Sequence, residues 1–221
     1  MRAVPLAVMA LALLAMATRV AAQADCGPLT THYGPFDYRT DRGKLPIVEQ
    51  FHFTPKVEML LGGISTTYVE GDLSYTLHAF PNHHRALASL TKLAERTRSR
   101  QPPRLDLSVD CYFERALRFR PDDLIVRMLM ADYLIRTGRS KEAEPQLDYV
   151  GTQAADNALT HLNAGRLYMK LGLPDKALER ALRARELGVQ RSDLEDQLRA
   201  KNLWPAVAAE PVSGAASEAK P

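Results

Sequence analysis

Two stretches of the chain align with each other, without a gap, at a spacing of 34 residues. One is PDDLIVRMLMADYLIRTGRSKEAEPQLDYV, residues 121–150, and the other is DNALTHLNAGRLYMKLGLPDKALERALRA, residues 156–184. Gly138 falls on Gly172, Ala143 on Ala177, Ala131 on Gly165, Leu134 on Tyr168 and Leu147 on Ala181. Self-similarity at a fixed period of this length means stacked copies of one supersecondary unit. Here the unit reads as two amphipathic helices around a tight turn. Asp122 or Asp123 can cap the first helix of one copy, and Asp156 or Asn157 that of the next. Gly138 and Gly172 stand where the chain must leave a helix through a left-handed residue, and Ser140 can cap the returning helix. The small residues Ala131, Gly165, Ala143 and Ala177 let paired helices approach closely.

The set of small residue, Leu or Tyr, Gly and Ala, repeated at this spacing, resembles the tetratricopeptide repeat (TPR) family. The resemblance covers roughly residues 81–188, with clear repeats at 121–154 and 155–188. It departs from the family pattern at Pro145, which removes a hydrogen bond from the second helix of the first repeat. Arg127 and His161 stand where the family carries an aromatic, and Gly188 replaces a closing proline. A degenerate repeat is read at 81–120, with helices at 83–96 and 108–119 and a polar, proline-containing loop inserted between them. A helical pair at 55–61 and 73–80, the second capped by Asp72, can precede it. Ser192 to Glu195 reads as a capping box opening a helix, 193–202, that shields the last repeat within a terminal segment at 192–204. Trp204 is expected to pack there.

The expected fold class is therefore all-α, a short TPR-like helical-hairpin solenoid with an irregular N-terminal arm and a C-terminal capping helix. The solenoid is placed at 55–204 and the arm at 23–54. The arm is aromatic and shows no helical period. It either covers the first repeats, stapled through Cys26, or occupies their groove and moves when a partner binds. Residues 205–221, rich in Ala, Ser, Pro and Glu, read as a disordered tail.

The chain opens with Met1-Arg2, an unbroken apolar run at 6–17 and small residues ending at Ala22. That is a secretory signal peptide over 1–22, which places the protein in a periplasm or outside the cell. No later apolar run is longer, so no membrane span is expected. Of 29 basic and 26 acidic residues, Arg2 and Arg19 belong to the leader. The remainder is nearly neutral and offers no argument for nucleic acid. In an oxidising compartment the two cysteines, Cys26 and Cys111, are expected to pair.

The stretch FPNHHRAL, residues 80–87, poses the question of chemistry. Adjacent residues on a helix point about 100° apart, so His83 and His84 are poorly placed to share a metal. A rival reading gathers His78, His83, His84 and Cys111 into a small metal site or enzyme centre. The favoured reading makes Pro81 the end of one helix, Asn82 a cap and His83 the start of the next. No nucleophile elbow, phosphate loop, dinucleotide fingerprint or CxxC pair is present. No cofactor and no catalytic residue are assigned.

What remains is a surface. In the TPR family, positions on the first helix of each repeat face a ligand in a concave groove. The resemblance then implies Arg85, Ser89, Lys92 and Arg96 in the upstream unit. In the middle repeat it implies Ile125, Leu129, Asp132 and Arg136, and in the last Leu159, Asn163, Arg166 and Lys170. Six of these twelve are basic and one is acidic. The expected partner is a protein or peptide, anionic or carboxylate-bearing, held by Arg contacts in a non-catalytic scaffold or adaptor. Envelope assembly, secretion and polysaccharide export are processes that such a scaffold could serve.

Overall fold

The structure is a computed structural model describing residues 26–190 and 192–205. The leader expected at 1–22 lies outside the described residues, as does the tail beyond 205. Ten α-helices and no strand are found among the described residues. They are α1 (Leu45–His52), α2 (Pro55–Glu58), α3 (Val69–Ala79), α4 (His84–Thr97) and α5 (Val109–Phe119). There follow α6 (Leu124–Arg136), α7 (Ser140–Gln153), α8 (Ala158–Leu171), α9 (Pro174–Glu186) and α10 (Asp193–Ala200). None is long and apolar enough to cross a membrane.

The helices pack as consecutive hairpins, α4 with α5, α6 with α7 and α8 with α9. The first helices of these hairpins form a row, α4 against α6 and α6 against α8. That arrangement is all-α and solenoid-like. The small residues sit where helices meet: Ala131, Ala143 and Ala177 are fully buried. Gly165 is the tightest of them, for a Cβ there would stand 2.6 Å from Leu194 Cδ2 and 3.3 Å from the carbonyl oxygen of Ala177. Leu134, Leu147, Tyr168 and Ala181 join them in a single core that runs from Phe53 to Leu198.

Capping follows the expected polar residues at most ends. Asp123 accepts from the backbone of Ile125 and Val126, Asn157 from Thr160, and Ser192 from Glu195. Gly138 and Gly172 take φ of 75° and 81°, the left-handed exits that glycine allows. Ser140 does not cap α7. It is already helical, Arg139 holds the cap position without a side-chain bond, and the Arg139 guanidinium instead pairs with Asp110 and Glu142. The capping box at Ser192 is also only half made, because the Glu195 carboxylate is taken by Arg185 and Arg199.

The first third differs more. The arm is not wholly irregular: α1 lies inside it, started by Pro46 and burying Leu45 and Val48 on one side. Two turns are too short to show a period by themselves. α2 ends at Glu58, earlier than 61, and Leu60 at φ 59° turns the chain out of the helix. α3 begins at Val69 and not after Asp72. Asp72 is fully buried in its first turn, where a carboxylate is favoured by the helix dipole. It accepts from the backbone of Ile64 at 2.6 Å and from His52 Nδ1 at 2.9 Å, and so closes the loop before its own helix.

Residues 26–44 run across the corners that join the hairpins. The sulfurs of Cys26 and Cys111 are at bonding distance, with Cα atoms 5.1 Å apart. Arg115, one turn after Cys111, donates to the carbonyls of Cys26 and Pro28. Farther on, Phe36 N donates to Ala79 O at 2.9 Å, and Tyr33, Phe36 and Tyr38 pack with α1 over Ala79 and Phe80.

Candidate interaction groove

Each candidate histidine has a local task. His83 is the N-cap of α4: its Nδ1 accepts from Ala86 N at 3.1 Å, and its Nε2 donates to Glu49 at 3.2 Å. It replaces Asn82 in the expected capping role because Asn82 is turned inward. The Asn82 amide donates to Asp37 and Asp123 while its oxygen accepts from Tyr38 N. His84 reaches Asp123 at 2.9 Å from the next corner, and His78 Nδ1 donates to the carbonyl of Ser74. Cys111 faces Cys26. The four residues of the rival reading thus serve four separate contacts, and no three His, Cys, Asp or Glu groups converge on one point among the described residues.

These contacts tie two corners and the arm together. The corners are Pro81-Asn82 and Pro121-Asp122, equivalent places in successive units. Asp37 of the arm accepts from Arg39, Asn82 and Arg120, the last at 2.6 Å. Burial works to raise its pKa, but the bonds from Arg39, Asn82 and Arg120 hold the Asp37 carboxyl well below the usual range. Arg39 extends the network to Asp122 at 2.9 Å. Asn82 and Asp123 were expected only as helix caps, and Asp37, which joins them, was not marked at all. Its bonds to Asn82 and Arg120 lie 45 and 83 residues away, so its own local pattern carries no signal of them.

The groove-facing residues divide into two groups. In the upstream unit three of the four are bonded to the head of the chain, and Ser89 is buried beneath it. Arg85 pairs with Glu58 and with Glu49, the latter at 3.1 Å. Ser89 is 1% exposed and donates to the carbonyl of Glu58, while Arg96 donates to that of Leu60 at 2.8 Å. Lys92 is exposed and makes no hydrogen bond among the described residues. The segment 49–60 therefore lies along α4 where a ligand was expected.

In the next two units the same positions come together. Ile125, Leu129 and Asp132 from α6 face Asn163, Arg166 and Lys170 from α8 across a cleft of about 300 Å³. Met128 and Leu167 complete its apolar floor. Ile125 and Leu159 remain 45% and 65% exposed, large apolar side chains left to water along the same row of helices. Arg136 lies just beyond, bonded to Asp132 at 2.7 Å and Glu95 at 2.9 Å.

The cleft is not a strip of free positive charge. Lys170 reaches Asp132 at 2.8 Å, and Arg166 pairs with Asp193 of α10 while donating to Asn163 at 3.0 Å. The bond from Arg166 keeps the Asp193 carboxyl below its ordinary range. The expected basic bias is cancelled by Glu95, at a position of α4 outside the repeat register used, and by Asp193 of α10, which is no first helix at all. What the geometry offers is an apolar trough with a rim of paired charges and one amide.

No family model matches the chain, and no curated protein and no solved structure does so.

Proposed function

We propose that this chain is an exported, non-catalytic interaction protein of the TPR kind, periplasmic or secreted, that holds a protein or peptide in the α6–α8 cleft. The observation that carries the reading is the convergence of Ile125, Leu129, Asp132, Asn163, Arg166 and Lys170, six positions chosen by repeat register alone, on one cleft. The peptide places an apolar side chain over Ile125 and Leu129, where burial stabilises the complex by roughly 25 cal/mol per Å² before ordering costs. A carboxylate or other acceptor on the peptide competes with Asp132 and Asp193 for Lys170 and Arg166, which sets register more than affinity.

The test uses a photo-crosslinker placed at Arg136 in the exported protein, with mass spectrometry of the captured species. One dominant partner, recaptured in purified form and lost in Leu129→Asp and Lys170→Glu, supports the reading. A partner captured equally by both variants rejects this cleft as the site.

A further inference from the structure

The two ends of the helical stack are finished differently. At the C-terminal end α10 seals α8 and α9 with Leu194 and Leu198 inward and Asp193, Asp196 and Arg199 outward. Terminal units of a solenoid need such a polar outer face. At the other end α1 and α3 present Ile47, Phe51 and Tyr75 at 54%, 47% and 41% exposure. These residues wall a cleft of about 320 Å³ that continues past Tyr33 and Tyr75 into a second of about 460 Å³. Together they make one groove along the outer side of α3, between the arm at 30–33 and the loop at 64–66.

The lining has a distinctive chemistry. It contains no Lys or Arg and a single carboxylate, Asp106, which already accepts from Ser74 at 2.7 Å. An anionic ligand finds no cation there. Tyr75 stacks on His52 with centroids 3.7 Å apart, which holds its ring in one plane. The hydroxyls of Tyr33 and Tyr75 form no hydrogen bond among the described residues, and Thr30, Thr31 and Thr66 add three more hydroxyls, of which those of Thr31 and Thr66 donate to the carbonyls of Tyr33 and Tyr68. His78 Nδ1 donates to the Ser74 carbonyl, which leaves Nε2 as the ring nitrogen free for a ligand. Backbone is also brought close: a Cβ at Gly71 would stand 2.8 Å from Thr66 Oγ1.

A groove of tyrosine and histidine rings and hydroxyls, with no Lys or Arg and a single carboxylate, complements a ligand that is itself neutral and carries many O–H donors beside C–H faces. We propose that this groove binds a linear, neutral polysaccharide, with Tyr75 as the stacking platform and His78 and Asp106 accepting from sugar hydroxyls. A proline-rich peptide, the other ligand of aromatic grooves, presents carbonyl acceptors and no N–H at proline. It would leave the acceptors of His78 and Asp106 unmatched. The site is separate from the α6–α8 cleft and stands or falls independently of it.

The experiment is NMR titration of the full mature chain with maltohexaose, cellohexaose and fully N-acetylated chitohexaose, following the backbone amides of 30–33 and 64–78. At least one hexaose should shift these amides. Tyr75→Ala should weaken that binding tenfold or more, while Tyr75→Phe keeps most of it. Tyr75 is exposed and without a hydroxyl partner, so both variants are expected to fold, with circular dichroism as the check. The proposal is overturned if none of the three sugars shifts these amides at millimolar concentration, or if Tyr75→Ala binds as the parent does. It is equally overturned if a proline decapeptide occupies the groove in their place, or if sedimentation shows a dimer that Tyr75→Ala dissolves.

Discussion

His83 shows how one side chain can carry two structural duties and a pH response. As a cap its Nδ1 must accept from Ala86, so the ring proton sits on Nε2 and points to Glu49. A second proton would break the cap, and burial of the ring lowers its pKa below the ordinary 6.5. The unfolded chain therefore takes up a proton below about pH 6.5 that the folded chain refuses. The associated stability is present above that pH and is lost as pH falls through the folded value. Urea midpoints measured from pH 7.5 down to pH 5 should fall, with a smaller fall in His83→Asn, which keeps a cap acceptor. An unchanged slope in that variant would remove His83 as the cause. Gly34 is the other residue whose identity is dictated by its place. It takes φ of 112°, and a Cβ would meet the Ala79 carbonyl oxygen at 2.5 Å. Gly34→Ala should cost about 1–3 kcal/mol from left-handed strain and should raise hydrogen exchange in the arm around Phe36.

Helix ends are where the expected and observed elements diverge. α6 and α8 start one residue after Asp123 and Asn157, the capping residues that composition had marked. Asp123, 1% exposed, also receives His84 and Asn82, so Asp123→Ala leaves buried donors unmet as well as a helix uncapped. That change should cost about 2–4 kcal/mol in chemical denaturation, against about 1 kcal/mol for the simpler cap in Asn157→Ala. Equal costs would show that the corner network adds nothing. α3 could not be placed correctly from its own letters. The residue that looked like its cap, Asp72, is drawn inside the helix by His52, 20 residues away in α1, and by the backbone at Ile64, neither of them part of α3.

Across the whole molecule the arm behaves as a strap over the hairpin corners. The Cys26–Cys111 bridge closes a span of 85 residues, so its removal should cost about 4–5 kcal/mol in the loop-entropy account. It also frees the backbone that covers Arg115, a guanidinium 2% exposed with Nε and Nη2 unpaired. Burial depresses the pKa of that guanidinium, and release of the arm lets water reach it. Hydrogen exchange of Cys26→Ser/Cys111→Ser should therefore rise over 26–44 and leave α6 to α9 protected. Loss of protection in those four helices too would make the bridge essential to the entire stack. At this scale the two candidate surfaces also separate, one along the row of first helices and one at the unsealed end.

The sequence by itself determined the helical hairpins from Pro81 to Gly188, because small residues, glycine exits and caps recur at one spacing and each acts within a turn or two of itself. It also marked the six residues of the α6–α8 cleft, since repeat register carries over directly into a shared face. Only the tertiary structure decided the charge of that cleft. Glu95 and Asp193 arrive from α4 and α10, and Coulomb pairing depends on distance in space, which a spacing rule along α6 and α8 does not contain. The head was decided the same way. α1, α2 and the course of the arm are held by distant partners, such as Glu58 with Arg85, 27 residues away, and Cys26 with Arg115, 89 residues away. Segments stabilised mainly by such distant contacts leave little trace in their own local pattern.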